Sequence, residues 1–584
     1  MIARQYKSAM RRGFILAVCA LFYAGSAFAG TSKLSQDLEQ NNSSQLVDVI
    51  VQYNQVPTAA YHQKVLGRGG ALKRQYNQFK GGAYRLPASE LNDLAADPDV
   101  AYISPDRPLS GASTASIPIV LDYHTASINA SAAWNQGLSG AGIGVAVIDS
   151  GIASNLDLNF LNLVYSQDFT GSLLGSAADQ YGHGTHVSGI IAGNGFQSSG
   201  LFNSYTFRGI AGNVNLINLR VLDQNGLGTD SEVIAALDEA ISLRTRYNIR
   251  VINLSLGRPV WESYKQDPLC QALEQAWKAG IVVVVAGGNY GRDNNAGTEG
   301  YGTITAPGND PYAITVGAMN TMGTATRTAA LPASYSSKGP TLFDQVVKPD
   351  LVAPGNRIIS LYSAGQTLSQ QNPGNEIPTS LYQSISLNLP SSAYFVLSGT
   401  SMAAPMVSGA AVAMLQQHPS MTPDQVKARL MKTAFKGLVQ TGTETDPVTG
   451  IVYSEQADIF TVGAGYLDIQ AALANSDLAP STTGSAISPR AVVNSSGNVL
   501  LSVNGSSVLG GNSVLWGSSV VWGSSVLWGS SVNGESVLWG SNSLQADSVL
   551  WGSGLTEADS VLWGSSVLWG SATQEPEFTI LGDK

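Results

Sequence analysis

Three apolar runs in the chain have the composition of buried parallel strands. Residues 144–152, 251–257 and 281–289 are rich in small and β-branched side chains, and each run carries glycine and a polar residue near its end. Two further runs, 182–193 and 398–415, begin with glycines and continue as small apolar residues, which predicts buried helices. Buried strands that alternate with helices predict an α/β fold around a parallel sheet.

The polar residues at these ends are candidates for chemistry. Asp149 ends a buried strand, at the sheet edge where α/β proteins keep their sites. His183 lies between two glycines where one helical run begins, and Ser401 lies where a glycine turn leads into the other. A serine nucleophile needs a base within hydrogen-bond reach and a third group that orients the base. Taken singly, the three residues also fit a capping aspartate, a structural histidine and a helix-capping serine.

Together the blocks 144–152, 182–193 and 398–407 resemble those of the subtilisin-like serine peptidases, the subtilases. The order Asp, His, Ser is that of subtilisin, whereas unrelated folds arrange the same three residues differently. The resemblance implies a subtilisin-like three-layer α/β domain with a parallel sheet. It also implies a role for each residue: Asp149 orients the imidazole, His183 acts as the base, and Ser401 attacks the scissile carbonyl.

The same resemblance implies an oxyanion site and a substrate cleft. Asn289 follows the strand-like run that begins at residue 281, and in subtilases an asparagine there donates its amide to the oxyanion together with the N–H of the nucleophile. A turn asparagine is the alternative. The implied cleft has two backbone rails and a pocket floor that bind an extended peptide as an added β-strand. Its predicted residues are Ser255, Leu256 and Gly257 for one rail, Gly226, Leu227 and Gly228 for the other, and Thr305 for the floor.

Composition narrows the classes of partner. The 584 residues carry a formal net charge of −10, so neither nucleic acid nor an anionic membrane is an expected partner. Protein or peptide substrates are expected, and the implied chemistry requires no cofactor. Many subtilases hold structural calcium, and Asp157 is the candidate ligand here, a solvated acid being the alternative.

The N-terminus has the pattern of a secretory signal. Residues 1–29 combine basic residues, an apolar core and a small-residue cleavage site, which predicts a cut between Ala29 and Gly30 and secretion of the protein. The pair Arg11-Arg12 also resembles a twin-arginine signal, but the apolar core favours the general secretory route. No later stretch is apolar enough to predict a membrane span. Because Cys19 leaves with the signal, Cys270 is the single expected thiol and no internal disulfide is expected.

Residues 30–115 are predicted to be a propeptide and its linker. The alternation in 46–53, followed by strand, capped helix and strand patterns in 82–103, resembles the small α+β inhibitory propeptide of subtilases, with a core at 46–108. The enzyme's own cut is expected within 109–122. A permanent accessory domain is the alternative. The catalytic domain is predicted at 116–475 and a linker at 476–512.

The C-terminal part is unlike an enzyme. Residues 513–571 repeat a hexapeptide of the type Ser-Val-Leu-Trp-Gly-Ser, with tryptophans at 516, 522, 528, 539, 551, 563 and 569. The even period and high β propensity predict a short β-repeat array, while fibril-like assembly and plain disorder are the alternatives. Such a repeat is suited to self-association or to binding a surface. Residues 572–584 form a predicted C-terminal tail.

The sequence therefore predicts a secreted serine endopeptidase that is made as an autoprocessed preproenzyme. Two alternatives stay open at this stage. One is a catalytically silent binding or assembly protein that acts through the repeat. The other is a sedolisin, an acidic peptidase of similar fold with a Ser-Glu-Asp trio, which His183 and Asn289 disfavour.

Overall fold

The structure is a computed structural model, and it describes residues 33–39, 45–111, 123–172, 175–295, 297–384, 390–493, 499–503, 506–507 and 583. The predicted signal peptide, residues 112–122 of the predicted linker and the hexapeptide repeat lie outside the described residues. No helix in the described part of the chain is long and apolar enough to cross a membrane.

A sheet of eight strands forms the centre of the molecule, and seven of its strands run parallel. The hydrogen-bonded path is Leu331–Pro332, Ile314–Asn320, Val282–Ala286, Ile249–Leu254, Gly144–Asp149, Asn215–Arg220 and Leu163–Asp168, and Leu351–Pro354 pairs with Ile314–Asn320. The antiparallel member is Leu331–Pro332. Residues of the middle strands are fully buried because helices cover both faces, which explains their continuous apolar sequences.

Twelve helices lie within the described residues. They are Gln36–Glu39, Ala59–Leu66, Leu91–Ala95, His124–Ser127, Ser131–Asn135, His183–Ala192, Asp230–Tyr247, Pro268–Lys278, Thr367–Gln371, Thr400–Gln417, Pro423–Thr433 and Ile469–Ala474. The helices that begin at His183 and Thr400 pack against each other on the sheet, and those that begin at Asp230 and Pro268 form a second packed pair on it. The predicted three-layer α/β domain is therefore confirmed.

The N-terminal segment, residues 45–111, forms a small α+β unit. Its antiparallel sheet has the order Ala71–Gln75, Gly81–Pro87, Leu46–Tyr53 and Val100–Pro105. Alternate residues of the strand 46–53 enter a hydrophobic core that is separate from the core of the larger domain and also includes Leu34 and Leu38, as the alternation in the sequence predicts. Five residues of the unit, Ile50, Tyr76, Phe79, Ala83 and Leu109, instead join the core of the larger domain. The segment is thus a self-contained fold that also packs on the domain.

Short sheets decorate the central domain. They comprise Leu227–Thr229 with Pro108–Gly111 and Leu256–Gly257; Ile358–Leu361 with Pro390–Leu397 and Glu376–Pro378; the hairpin Thr441–Thr445 and Val452–Gln456; and Arg490–Val493 with Val499–Val503 and Ser506–Ser507. Residues 476–493 begin the predicted linker, yet they lie against the domain. Gln425 donates to the carbonyl of Ala479 at 2.8 Å, and the amide of Ala486 donates to Asp424 at 2.9 Å. The packed part of the chain therefore continues past residue 475.

Candidate active site

Asp149 and His183 meet at the carboxyl edge of the central sheet. Asp149 ends the strand Gly144–Asp149, and its Oδ1 lies 2.7 Å from His183 Nδ1. Both side chains are fully buried. The backbone N–H of Ser150 also donates to Asp149 Oδ1, at 2.7 Å, and this fixes the carboxylate. Because a carboxylate only accepts hydrogen bonds, the contact places the imidazole proton on Nδ1 and makes Nε2 the basic nitrogen.

Glycines allow this close approach. The helix His183–Ala192 begins at the histidine itself, and a Cβ on the next residue, Gly184, would lie 2.2 Å from the carbonyl oxygen of Gly151. Any side chain there would push the helix away from the turn that follows Asp149. The glycine that follows His183 in the sequence is therefore a packing requirement of the Asp149–His183 contact.

Asp179 links the turn after Asp149 to the start of the helix that carries His183, and the sequence analysis did not predict this residue. Its buried carboxylate accepts hydrogen bonds from Ser150 Oγ at 2.9 Å, from the N–H of Gly182 at 2.8 Å and from the N–H of Thr185 at 2.8 Å. Burial raises the pKa of this carboxyl group, and the hydrogen bonds from Thr185 and Gly182 oppose that shift. The sequence signal is weak, since it consists of one acid four residues before His183.

The neighbouring His186 has a different environment. Its Nε2 donates to the carbonyls of Ile358 and Phe395, each at 3.1 Å. Burial, with a smaller contribution from the nearby His183, lowers the pKa of His186 to about 3. A histidine held neutral and bonded to two backbone carbonyls is a structural residue, so it is not a candidate base.

Ser401 is the second residue of the helix Thr400–Gln417 and is buried. Its Oγ donates to the carbonyl of Ser255 at 3.0 Å, and Ser255 Oγ donates back to the carbonyl of Ser401 at 2.9 Å. Pro405 makes the second bond available, since the residue four positions further along the helix has no N–H for the carbonyl of Ser401. The helix that carries Ser401 is thereby fastened to the segment that contains Ser255.

Thr400 connects Asn289 to the same helix. The N–H and the hydroxyl of Thr400 both donate to Asn289 Oδ1, at 2.9 and 3.0 Å. These contacts fix the orientation of the amide, because only its oxygen can accept from the N–H. Asn289 Nδ2 is buried and has no acceptor among the described residues. A buried donor without an acceptor is costly and is a common feature of sites that bind a ligand or a reacting group.

The predicted cleft residues flank an extended segment of the chain's own N-terminal part. The strand Pro108–Gly111 lies between Leu227–Thr229 and Leu256–Gly257 and is antiparallel to both; we call these two flanking strands the rails. Leu109 is opposite Gly228, and Ser110 is opposite both Leu227 and Gly257. The structure therefore brings Leu227 and Gly228 of one predicted rail and Leu256 and Gly257 of the other together around one peptide strand.

The remaining cleft residues lie at the ends of the rails. Gly226 has φ of 75°, and a Cβ there would lie 2.5 Å from the ring of Tyr181. Thr305 is buried, and its Oγ1 would lie 2.7 Å from a Cβ on Gly257. Thr305 Oγ1 also donates to the carbonyl of Gly287 at 3.3 Å. The predicted pocket residue thus lies directly beside one rail, between Gly257 and Gly287.

A buried ion network joins the two rails, and sequence reasoning missed this as well. Asp230 follows the rail Leu227–Thr229, Arg258 follows the rail Leu256–Gly257, and their side chains meet at 2.8 Å. Arg258 also binds both oxygens of Asp267 at 2.9 Å. Burial alone would lower the pKa of Arg258, but the two carboxylates outweigh it and hold that pKa above its ordinary value.

Replacing Arg258 with methionine is expected to destabilise the protein and to weaken substrate binding. The change leaves two buried carboxylates without their partner, which costs about 3–5 kcal/mol of unfolding free energy. Since the network links the rails, KM for peptides should rise more than kcat falls. Thermal unfolding and steady-state kinetics measure the two effects.

Arg250→Met is the matched control, because Arg250 donates to the carbonyls of Pro419 and Met421 and does not contact the rails. An equal rise of KM in both variants would contradict the role of Arg258.

Asp157, the candidate calcium ligand, has both carboxylate oxygens in use. Oδ1 accepts from the N–H of Gln197 at 2.7 Å, and Oδ2 accepts from the hydroxyl of Tyr394. Burial raises the pKa of this carboxyl group. No group of three or more His, Cys, Asp or Glu side chains within the described ranges could hold a metal ion. As arranged, the residues around Asp157 do not fit a calcium ion, and calcium binding stays a prediction from the family resemblance.

Comparisons with known proteins agree with the fold and with the sequence motifs. The model of the subtilase family matches residues 140–465, more than half of the chain. Serine protease AprX of Bacillus subtilis (strain 168) is 37% identical over 309 residues, which cover 50% of this chain and 62% of that protein. Subtilisin E of the same organism is 33% identical over 368 residues, which cover 63% of this chain and 78% of that protein.

A solved structure gives the same fold. Fervidolysin from Fervidobacterium pennivorans, described as a keratinolytic enzyme related to subtilisin, superposes with a TM-score of 0.56 at 20% identity, covering 81% of this chain and 67% of its own. The fold and the matches define the class: a serine peptidase with a three-layer α/β domain. The chain belongs to the subtilase family.

Proposed function

We propose that the protein is a secreted serine endopeptidase that hydrolyses peptide bonds through Asp149, His183 and Ser401. The observation that carries this proposal is the buried hydrogen bond of 2.7 Å between Asp149 and His183 Nδ1. That contact stabilises an imidazolium and directs Nε2 as the base, and this pairing is what a serine nucleophile needs. The membership of the subtilase family supports the same chemistry.

In the proposed first step, Ser401 Oγ attacks the substrate carbonyl and His183 Nε2 takes its proton. The hydroxyl must turn away from the carbonyl of Ser255 to reach the imidazole, because it donates to that carbonyl in this structure. His183 then gives the proton to the leaving amine, and an acyl-enzyme remains on Ser401. Water, deprotonated by the same nitrogen, hydrolyses the ester and restores the serine.

The oxyanion of the tetrahedral intermediate has two proposed donors. One is Asn289 Nδ2, which is buried and directed away from Thr400 by the contacts at Oδ1. The other is the backbone N–H of Ser401, in the first turn of its helix, where N–H groups have no partner within the helix. Donors fixed in advance in a buried site stabilise the developing negative charge more than water does.

A serine-directed phosphonate probe tests the proposal. The chain, once it has lost its N-terminal segment, should be labelled at Ser401 at about pH 8, where a near-neutral histidine is deprotonated. Ser401→Ala should not be labelled, whereas Ser242→Ala, near the end of the helix Asp230–Tyr247 that is distant from the rails, should be labelled at the normal rate. The absence of any label on the processed chain would favour the silent binding protein or the sedolisin.

We further infer that residues 30–115 act as an inhibitory propeptide, removed by the enzyme itself after secretion. Contacts between the N-terminal segment and the domain support this inference. The strand Pro108–Gly111 fills the space between the rails, and Arg107 forms a buried ion pair with Glu262 at 2.6 Å. Asp238 accepts hydrogen bonds from the backbone N–H groups of residues 77–79. A peptide substrate and this strand would compete for the same backbone hydrogen bonds.

The separately expressed segment of residues 30–115, which includes the strand Pro108–Gly111, is expected to inhibit the mature enzyme at micromolar concentration or below. Its own hydrophobic core allows it to fold alone, and its contacts hold its C-terminal end at the rails. Asp106→Asn should weaken inhibition, because Asp106 accepts from the N–H and the hydroxyl of Ser231 at 2.8 and 2.7 Å. Asp93→Asn, at an exposed position, is the control. A segment that does not inhibit would indicate a permanent accessory domain.

Self-association or surface binding by the hexapeptide repeat stays a prediction, since the repeat lies outside the described residues. Protein and peptide substrates are the proposed partners of the cleft. Their side-chain preference depends on the pocket beside Thr305.

A further inference from the structure

The last part of the chain returns to the catalytic domain. Asp583 is fully buried, although it is the penultimate residue of the sequence. Three residues of the domain surround it, and we call them the socket: Arg292, Ser334 and Asn356. Each contributes hydrogen bonds to Asp583, and together they bind its side chain and its backbone.

The side-chain contacts suit an acidic residue. Arg292 Nη2 donates to Asp583 Oδ1 at 2.9 Å, Ser334 Oγ donates to the same oxygen at 2.5 Å, and the N–H of Ser334 donates to Oδ2 at 2.8 Å. Burial raises the pKa of the Asp583 carboxyl group, and the charge of Arg292 opposes that shift. Without Asp583, Arg292 would keep its ion pair with Asp446 at 3.1 Å, but the buried N–H of Ser334 would lose the acceptor it has here.

The backbone contacts fix the direction of the segment. The N–H of Asp583 donates to Asn356 Oδ1 at 2.9 Å, and Asn356 Nδ2 donates to the carbonyl of Asp583 at 3.1 Å. One amide side chain thus pairs with both polar groups of one residue, as a neighbouring strand would. A carboxylate at the wrong position in the chain, or a chain of opposite direction, would not form the same set of bonds.

The socket adjoins the segment of the chain that carries Asn289, and its three residues are distant in sequence from both rails. Arg292 is three residues after Asn289, and the N–H groups of Tyr290 and Gly291 bond to Ser337 Oγ and the carbonyl of Tyr335, at 3.0 and 2.8 Å. Within the described residues, the hydrogen bonds and ion pairs of Asp583 are to the three socket residues and not to Asp149, His183 or Ser401. The socket is therefore a site separate from those three residues.

We propose that the socket is a specific binding site for the C-terminal end of the chain, so that the catalytic domain holds the chain both before and after residues 513–571. The strand Arg490–Val493 fastens the chain before these residues, and Asp583 fastens it after them. Because Asp583 belongs to the same chain as the socket, its binding is intramolecular, so a modest affinity of the socket is enough to keep it occupied.

Hydrogen exchange in the full-length chain tests this proposal. A Ser401→Ala background prevents self-cleavage from confounding the measurement. With Asp583 docked, the amide of Ser334 should be protected, and Asp583→Ala should raise its exchange rate by about tenfold or more. Glu577→Ala removes another acid of the same C-terminal stretch and should leave the rate unchanged. Equal rates at Ser334 in all three chains would overturn the proposal.

The socket side provides the reciprocal test. Asn356→Ala removes the acceptor of the Asp583 N–H, and Arg292→Met removes a hydrogen bond to the Asp583 side chain. Each variant should therefore raise the exchange rate of the Asp583 amide. Light scattering must give the mass of one chain. A dimer that becomes a monomer on Asp583→Ala would mean that the socket holds the end of a second copy, and this would overturn the proposal. A synthetic peptide of residues 575–584 added to the Asp583→Ala chain should restore protection of Ser334, which excludes misfolding as the cause of its loss.

Discussion

Replacement of Ser401 by alanine is expected to remove peptidase activity, with a fall in kcat of about 10⁶-fold, the size known for the nucleophile of a serine triad. In the proposed mechanism the hydroxyl of Ser401 is the attacking group, and Ser255 cannot take its place, since Ser255 Oγ is bonded to the carbonyl of residue 401. Peptide hydrolysis by the purified protein is the measurement. Thermal unfolding should change little, because the lost hydroxyl makes one hydrogen bond, to the carbonyl of Ser255.

The same variant tests self-processing. If the enzyme cuts its own linker, Ser401→Ala should accumulate as a precursor that keeps residues 30 to about 115, and mass spectrometry of the purified chain would detect it. The control is Ser242→Ala, whose hydroxyl bonds to the carbonyl of Asp238 on the same helix. Normal processing of pure Ser401→Ala would mean that another protease removes the segment, and the autocatalytic part of the proposal would be wrong.

Replacement of Asn289 by alanine is expected to lower kcat by about 10²–10³-fold with little change in KM, as for a donor that acts only in the transition state. The alanine variant also removes the acceptor for Thr400, so a second variant separates the two effects. Asn289→Asp keeps an oxygen for the N–H of Thr400 and loses the amide donor. Both variants should lose turnover. Normal kcat in Asn289→Asp would mean that Asn289 serves to hold Thr400, and a change confined to KM would indicate a role in substrate binding.

The residues of the candidate site could be predicted because each lies in a local pattern. Asp149 ends a buried run, His183 has glycines on both sides, and Ser401 begins a helix of small residues. The family resemblance then supplied their order and roles. The parallel sheet could be predicted for a similar reason, since its central strands are buried on both faces and their sequences are continuously apolar.

The supporting residues could not be predicted, because their meaning depends on distant partners. Arg258 is 28 residues from Asp230, and nothing in the sequence around either residue indicates the ion pair. Asp583 is 249 residues from Ser334 and 291 from Arg292. The predicted domain boundary near residue 475 lies too early for the same reason. Residues 479–491 have an unremarkable composition, and only their contacts show that they pack on the domain.

The position of Pro108–Gly111 between the rails has a consequence for the choice of substrate. A strand with a neighbour on each side forms backbone hydrogen bonds along both its edges. A peptide that takes its place must therefore have unpaired N–H and C=O groups along both edges over several residues. A helix pairs its own N–H and C=O groups, and an edge strand of a folded sheet has unpaired groups along one edge only. If substrates bind between the rails as proposed, the cleft selects for segments that have come loose from any regular structure. The rate at which a target protein is cut would then measure how often that protein opens locally, and well-folded proteins would be spared whatever their sequences.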